Sequence, residues 1–172
     1  MSIEAFKTNT TETYIPLENP EILGTEQVGV LLEETGFDDP ELLRLAQENP
    51  TAINQGEINI ELINGLQPRK DGRAFKITAG EQGAVAGVVY GITRGKDRGT
   101  MELVYYADED FTGQGIMRAS VAAVAARYKS EYELMLDIGN ENEASIRIAR
   151  AIGAKALDAT NGAKRYYTDR VR

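Results

Sequence analysis

Cysteine and histidine are both missing from this 172-residue chain. Without cysteine there is no disulfide, no thiolate metal site and no cysteine nucleophile. Without histidine the commonest general base and the commonest metal ligand are gone as well, and no metal centre is expected. Proton transfer is left to carboxylates, tyrosines, hydroxyls, amines or water. Proline is absent beyond Pro68, all five prolines lying in residues 1–68. The first part therefore reads as turns and short helices, the rest as uninterrupted strand and helix. No long apolar run exists either. The run over residues 119–126 includes Ser120 and is far too short to span a bilayer. The opening residues lack the basic-then-apolar pattern of a secretory leader. The expectation is a soluble, cytoplasmic protein with no membrane partner.

What is present fits one domain over residues 1–172. Its length allows a sizeable core, and 42% hydrophobic and 27% charged residues are ordinary proportions. The net charge of −8 is unevenly placed. Residues 1–68 carry 13 acidic and 2 basic side chains, a balance of −11, whereas residues 69–172 carry 14 acidic and 17 basic, a balance of +3. The basic part suits a polyanionic ligand and the acidic part a cationic partner, or the acid serves solubility alone. No strong basic stripe stands out, so nucleic acid is not an expected partner.

Periodicity orders the elements. Residues 13–17 read as a short strand, and residues 26–34 as a helix ended by Gly36. Asp39-Pro40 opens a capped helix over residues 41–47. Residues 57–66 fit a strand or a helix, with helix preferred. Residues 74–79, 84–93 and 101–107 read as strands. A helix over residues 114–129 sets Met117, Val121, Val124 and Tyr128 on one face. Residues 132–138 alternate as a strand, and residues 142–152 form a helix closed by Gly153. Residues 155–159 and 164–171 flank Asn161-Gly162 as a C-terminal hairpin. This order predicts a mixed α/β sheet.

Two segments carry chemistry. Thr112-Gly113-Gln114-Gly115-Ile116-Met117 joins a strand to an amphipathic helix. Glycines allow close backbone approach, and the free N–H groups of a first helical turn can hold a pyrophosphate. The segment has neither the Gly-Lys-Ser/Thr of a P-loop nor a G-x-G-x-x-G dinucleotide fingerprint. By itself it also reads as a plain strand-to-helix turn. The second segment, Asn142-Glu143-Ala144-Ser145, starts the last helix, where Asn142 and Ser145 also read as helix caps.

In this order and spacing the two segments resemble the GNAT acyltransferase superfamily, most closely the branch of ribosomal-protein N-terminal acetyltransferases. Gly115 matches the central glycine of that superfamily's turn, with Thr112 in place of Arg or Gln and Met117 in place of a small residue. Ser145 follows the branch; Ala149 stands where many relatives carry tyrosine, and Ala154 where phenylalanine follows the glycine.

The resemblance implies a mostly antiparallel central sheet flanked by helices, with acetyl-CoA as co-substrate and no metal. It implies acetyl transfer to a primary amine, either a protein N-terminus or a small cationic amine, by direct attack. Tyr105, Tyr106, Ala107, Thr112, Gly113, Gln114, Gly115, Ile116, Met117 and Arg118 would hold the cofactor. Asn142 would bind the pantetheine arm, and Ser145 would approach the sulfur. Glu102 reads equally as the base for the attacking amine and as a solvated strand residue. The strand's N–H near Tyr106 would polarise the thioester carbonyl. The alternatives are a coenzyme A-binding sensor without catalysis and an α/β partner-binding domain without cofactor. The oligomer is a monomer or a homodimer.

Overall fold

The computed structural model describes residues 12–16, 29–48, 72–79, 83–93, 99–160 and 162–169. The stretch at 57–66, for which helix was preferred, lies outside them. Eight strands form one sheet: β1 (Glu12–Pro16), β2 (Gly29–Thr35), β3 (Arg73–Ala79), β4 (Ala84–Thr93), β5 (Thr100–Ala107), β6 (Glu133–Gly139), β7 (Lys155–Thr160) and β8 (Ala163–Tyr167). Their order is β1-β2-β3-β4-β5-β6-β8-β7. Every neighbouring pair is antiparallel except β5 and β6, which run parallel. Three described helices cover the sheet: α1 (Pro40–Glu48), α2 (Ile116–Tyr128) and α3 (Glu143–Ala151). The expected α/β architecture, mostly antiparallel with a C-terminal hairpin, is therefore present.

One element differs in kind. Residues 29–34, expected as the end of a helix, belong to β2. Val30, Leu31 and Leu32 are compatible with either period, so the local pattern does not decide. Pairing does: β2 lies between β1 and β3, with Val30 opposite Ala79 and Leu32 opposite Ile77. Both Val30 and Leu32 enter the core. A ladder on both edges satisfies the backbone as fully as a helix would, and tertiary context overrides local propensity.

The sheet separates two cores. On one face α2 and α3 place Val121, Val124, Ile146 and Ala149 against Phe75, Met101, Leu103 and Leu136. On the other, Leu42 and Leu45 of α1 meet Val88, Tyr90, Ile92 and Tyr106. Helix α2 docks further through Arg127, which pairs with Glu34 at 2.9 Å and lies over the rings of Phe75 and Tyr128. Helix α1 is fixed by Asp39, whose carboxylate accepts from the N–H groups of Glu41 and Leu42 and from the Thr35 hydroxyl. Lys76 on β3 reaches Glu33, Asp39 and Glu41 at 2.9–3.4 Å.

Candidate active site

The parallel pair creates the site. Pairing between β5 and β6 covers only Thr100↔Glu133, Met101↔Leu134 and Glu102↔Met135. Beyond that point β5 stays with β4 as far as Gly87↔Ala107, and β6 stays with β8 as far as Gly139↔Ala163. The sheet thus splits into a wedge that opens towards the C-terminal ends of two parallel strands, a position where α/β folds commonly take ligands. A cleft of about 610 Å³ fills it.

Register tells which main-chain groups face the wedge. The Asp108 N–H donates to Ala86 C=O at 3.0 Å, and the Glu133 N–H donates to Gly99 C=O at 2.8 Å. Main-chain direction alternates along a strand. The groups of Glu102, Val104 and Tyr106 therefore point to β4, and those of Leu103, Tyr105 and Ala107 point into the wedge. On the opposite wall the Asn140 N–H donates to Gly162 C=O, which turns residue 140 towards β8 and leaves Asp137 and Gly139 facing the wedge. The N–H of Tyr106 itself thus faces the sheet, and the strand N–H groups near it that face the cleft are those of Tyr105 and Ala107.

Side chains divide by the same parity. Tyr105 stands on the face of α2 and α3, whereas Glu102 and Tyr106 stand on the face of α1, as does Asp137. Glu102 sits at the apex of the wedge, 4% exposed. The Tyr106 hydroxyl donates to Leu42 C=O at 3.4 Å, and burial beside Tyr90 pushes the phenol well above its ordinary value. Asp137 pairs through one oxygen with Arg165 at 3.4 Å, while its other oxygen is buried and unpartnered.

The start of α2 forms one lip of the cleft. Asp108 caps a short 3-10 turn (Glu109–Phe111) by accepting from the Asp110 N–H, and the Thr112 hydroxyl donates to Glu109 C=O at 2.9 Å. These bonds order the approach to two glycines at positive φ, Gly113 at 76° and Gly115 at 78°. A Cβ on either would meet no atom within 4 Å, so the glycines are required by backbone conformation and leave an open cradle. Gly115 is the N-cap and provides no side-chain cap; the first helical bond runs from the Ala119 N–H to Gly115 C=O. The N–H groups of Ile116, Met117 and Arg118 consequently remain available at the positive end of the helix dipole.

Helix α3 supplies the facing lip. Asn142 is its cap, accepting from the Ser145 N–H at 3.1 Å. Ser145 is therefore the capped residue and not a second cap, and it lines the cleft. The Tyr105 hydroxyl lies close to it: burial raises the phenol's pKa and Ser145 offsets part of that rise, although the two hydroxyls do not reach hydrogen-bonding geometry.

Of the residues read from sequence, all but Gln114 line the cleft. Gln114 turns back to donate to Asp110 C=O at 3.0 Å. The β6 wall was missed, Leu136 to Gly139, together with Phe111 and Arg147. The parallel pairing that brings β6 alongside β5 leaves no mark in the local pattern of either strand.

The profile of the acetyltransferase (GNAT) domain matches residues 30–155. The chain belongs to the GNAT family. Enzymes of this family are N-acetyltransferases that use acetyl-CoA. A search of curated proteins finds no match to the sequence. Among solved structures, a RimL ribosomal L7/L12 α-N-protein acetyltransferase in complex with coenzyme A is similar at 20% identity and a TM-score of 0.64, covering 90% of this chain and 97% of that one. The GNAT domain of S. lividans PAT gives 13% identity and a TM-score of 0.72, covering 92% and 96%. A chimera of the Vibrio cholerae spermidine N-acetyltransferase SpeG gives 16% and 0.63, covering 80% and 95%. At these identities the likeness is one of fold.

Proposed function

We propose that this GNAT member transfers an acetyl group from acetyl-CoA to a primary amine by direct attack, the donor lying on the face of α2 and α3 and the amine arriving from the face of α1. The observation that carries this reading is the wedge between β5 and β6 beside an uncapped helix start. The wedge exposes main-chain groups of Tyr105 and Ala107 on one wall and of Asp137 and Gly139 on the other. An extended chain bearing amides, such as pantetheine, pairs with such walls as an added strand would. The N–H groups of Ile116, Met117 and Arg118 suit a pyrophosphate at its end, with the Arg118 and Arg147 side chains at the rim. When bound, acetyl-CoA supplies the activated acyl carbon.

The residues of the chain do the rest. A main-chain N–H of Tyr105 or Ala107 donates to the thioester oxygen, where negative charge grows. Glu102, at the apex and on the acceptor face, receives the proton of the amine directly or through water, because an ammonium has no lone pair for attack. Ser145 donates a hydrogen bond towards the sulfur. Asp137 adds a second carboxylate to the acceptor face, which favours a cationic acceptor. Similar folds that acetylate a ribosomal-protein N-terminus or spermidine are consistent with an amine of either kind.

Glu102→Gln tests the base. The expected result is a fall in kcat of about a hundredfold or more, steepest where the free amine is scarce, with acetyl-CoA affinity unchanged. An unaltered kcat and pH profile would remove Glu102 from the reaction.

A further inference from the structure

We propose that Tyr105 is a positioning residue for Ser145, its hydroxyl donating to Ser145 Oγ so that the Ser145 O–H is aimed at the departing sulfur. This inference rests on the proposed acetyl transfer and adds a residue to it. Four observations support it. Strand parity puts the Tyr105 ring on the face of α3, whereas the neighbouring Tyr106 faces α1 and is tied to Leu42 C=O. Tyr105 and Ser145 line the same cleft. The Tyr105 hydroxyl is buried with no hydrogen-bond partner, a condition proteins rarely keep without a use. Finally, the cap of α3 uses the Ser145 N–H and the Asn142 side chain, which leaves the Ser145 hydroxyl outside the helix's own bonding.

The proposed bond forms when the Ser145 side chain turns to bring its Oγ within reach of the Tyr105 hydroxyl. Serine alone is a freely turning donor; with a phenol donating to its oxygen it keeps one orientation, and the chained bonds strengthen each other. The balance of the step is simple. The C–N bond forms, the C–S bond breaks and its electron pair leaves on sulfur, while the proton of the amine passes to Glu102. Neither hydroxyl loses its proton for good. A thiol titrates near 8.5 and a phenol near 10, so the leaving thiolate is stabilised by donated hydrogen bonds and takes its proton from solvent after release.

Tyr105→Phe keeps the ring and removes the oxygen, and so separates positioning from wall-building. The expected result is a kcat lowered about tenfold, with the KM of the amine, the Kd of acetyl-CoA and the Tm unchanged. In a Ser145→Ala background the same substitution should have no further effect. A readout independent of turnover is the 13Cζ resonance of Tyr105 in the free protein: its titration midpoint should move up in Ser145→Ala, because the neighbour that offsets burial is gone. Full activity in Tyr105→Phe, losses that multiply in the double variant, or an unmoved titration would each overturn the proposal. A wild-type chain that binds acetyl-CoA and acetylates no amine would overturn the transferase reading together with it, which distinguishes the two failures.

Discussion

At Gly115 the backbone sits at φ 78°, facing open space. Valine there adds left-handed strain of about 1–2 kcal/mol and a branched side chain in the cradle, so Gly115→Val should lose both stability and acetyl-CoA affinity. Gly115→Asn separates the effects, because asparagine tolerates positive φ. We expect it to keep its Tm and still bind acetyl-CoA about tenfold more weakly or worse by calorimetric titration. Unchanged affinity in the folded variant would place the pyrophosphate elsewhere. On α3 the division of labour between Asn142 and Ser145 gives a second test. Asn142→Ala should cost about 1 kcal/mol in denaturant unfolding because it removes the cap. Ser145→Ala should cost almost nothing in stability while slowing turnover on the order of tenfold to a hundredfold.

At the scale of elements, α1 is held to the sheet by charge as much as by Leu42 and Leu45. The Lys76 and Asp39 side chains are only 14% and 9% exposed, whereas Glu41 is half exposed. Lys76→Met should therefore destabilise by roughly 1–3 kcal/mol, less than for a fully buried pair, because part of the cluster is solvated. The pH dependence follows from two signs. Burial works to raise the Asp39 carboxyl, but the Thr35 hydroxyl, the Leu42 and Glu41 N–H groups and Lys76 together hold it below its ordinary 3.8. Its contribution is complete above that value and is lost as pH falls through the lower, folded one. Burial works to lower Lys76, yet Glu41, Asp39 and Glu33 raise it above its ordinary 10.5. That contribution is complete below 10.5 and fades at higher pH. Burial also pushes Tyr90 up to about 12, so its ionisation opposes the fold between about pH 10 and 12. Unfolding midpoints measured from pH 3 to 12 should thus show a plateau between about 4 and 10, with a rise in tyrosinate absorbance accompanying the alkaline loss.

These elements also show what sequence can and cannot disclose. Helix α3 was legible because its signals are local: Asn142 before it, Gly153 at φ 81° after it, and apolar residues at helical spacing between. The glycine turn and the strands β3 to β6 were legible for the same reason. β2 was not, since Val30, Leu31 and Leu32 satisfy two periods and only its neighbours decide. In the site, residues carried by a motif were found, while the β6 wall depends on strand pairing and the turn of Gln114 away from the cleft on one side-chain bond to the Asp110 carbonyl. The direction of the Tyr105 and Tyr106 main chains follows from register with β4, which no single strand encodes.

Over the whole molecule, one sheet separates two chemistries and one wedge joins them. On the function proposed above, basic Arg118 and Arg147 and the α2 dipole serve the donor, and Glu102 and Asp137 serve the acceptor. Four of the 13 acidic residues of the first 68 are engaged with basic side chains of residues 69–172, Glu34 by Arg73 and Arg127, and Glu33, Asp39 and Glu41 around Lys76. Acceptor preference should then follow Glu102 and Asp137 more than the balance of −11 over residues 1–68. Asp137→Asn should weaken cationic amines, raising their KM about tenfold, and leave neutral amines nearly unaffected. Raising salt should weaken cationic acceptors only modestly, since a partly buried carboxylate is screened less than a surface field.

Steady-state release of the coenzyme A thiol from acetyl-CoA, followed across a panel of primary amines that includes cationic, neutral and acidic members, tests the central claim most directly. The account predicts release that saturates in both substrates, requires a primary amine, rises with pH as the free amine forms, and favours cationic acceptors. Saturable binding of acetyl-CoA with no release for any amine would contradict it, and would make the wedge a sensor's binding site instead of a site of acyl transfer.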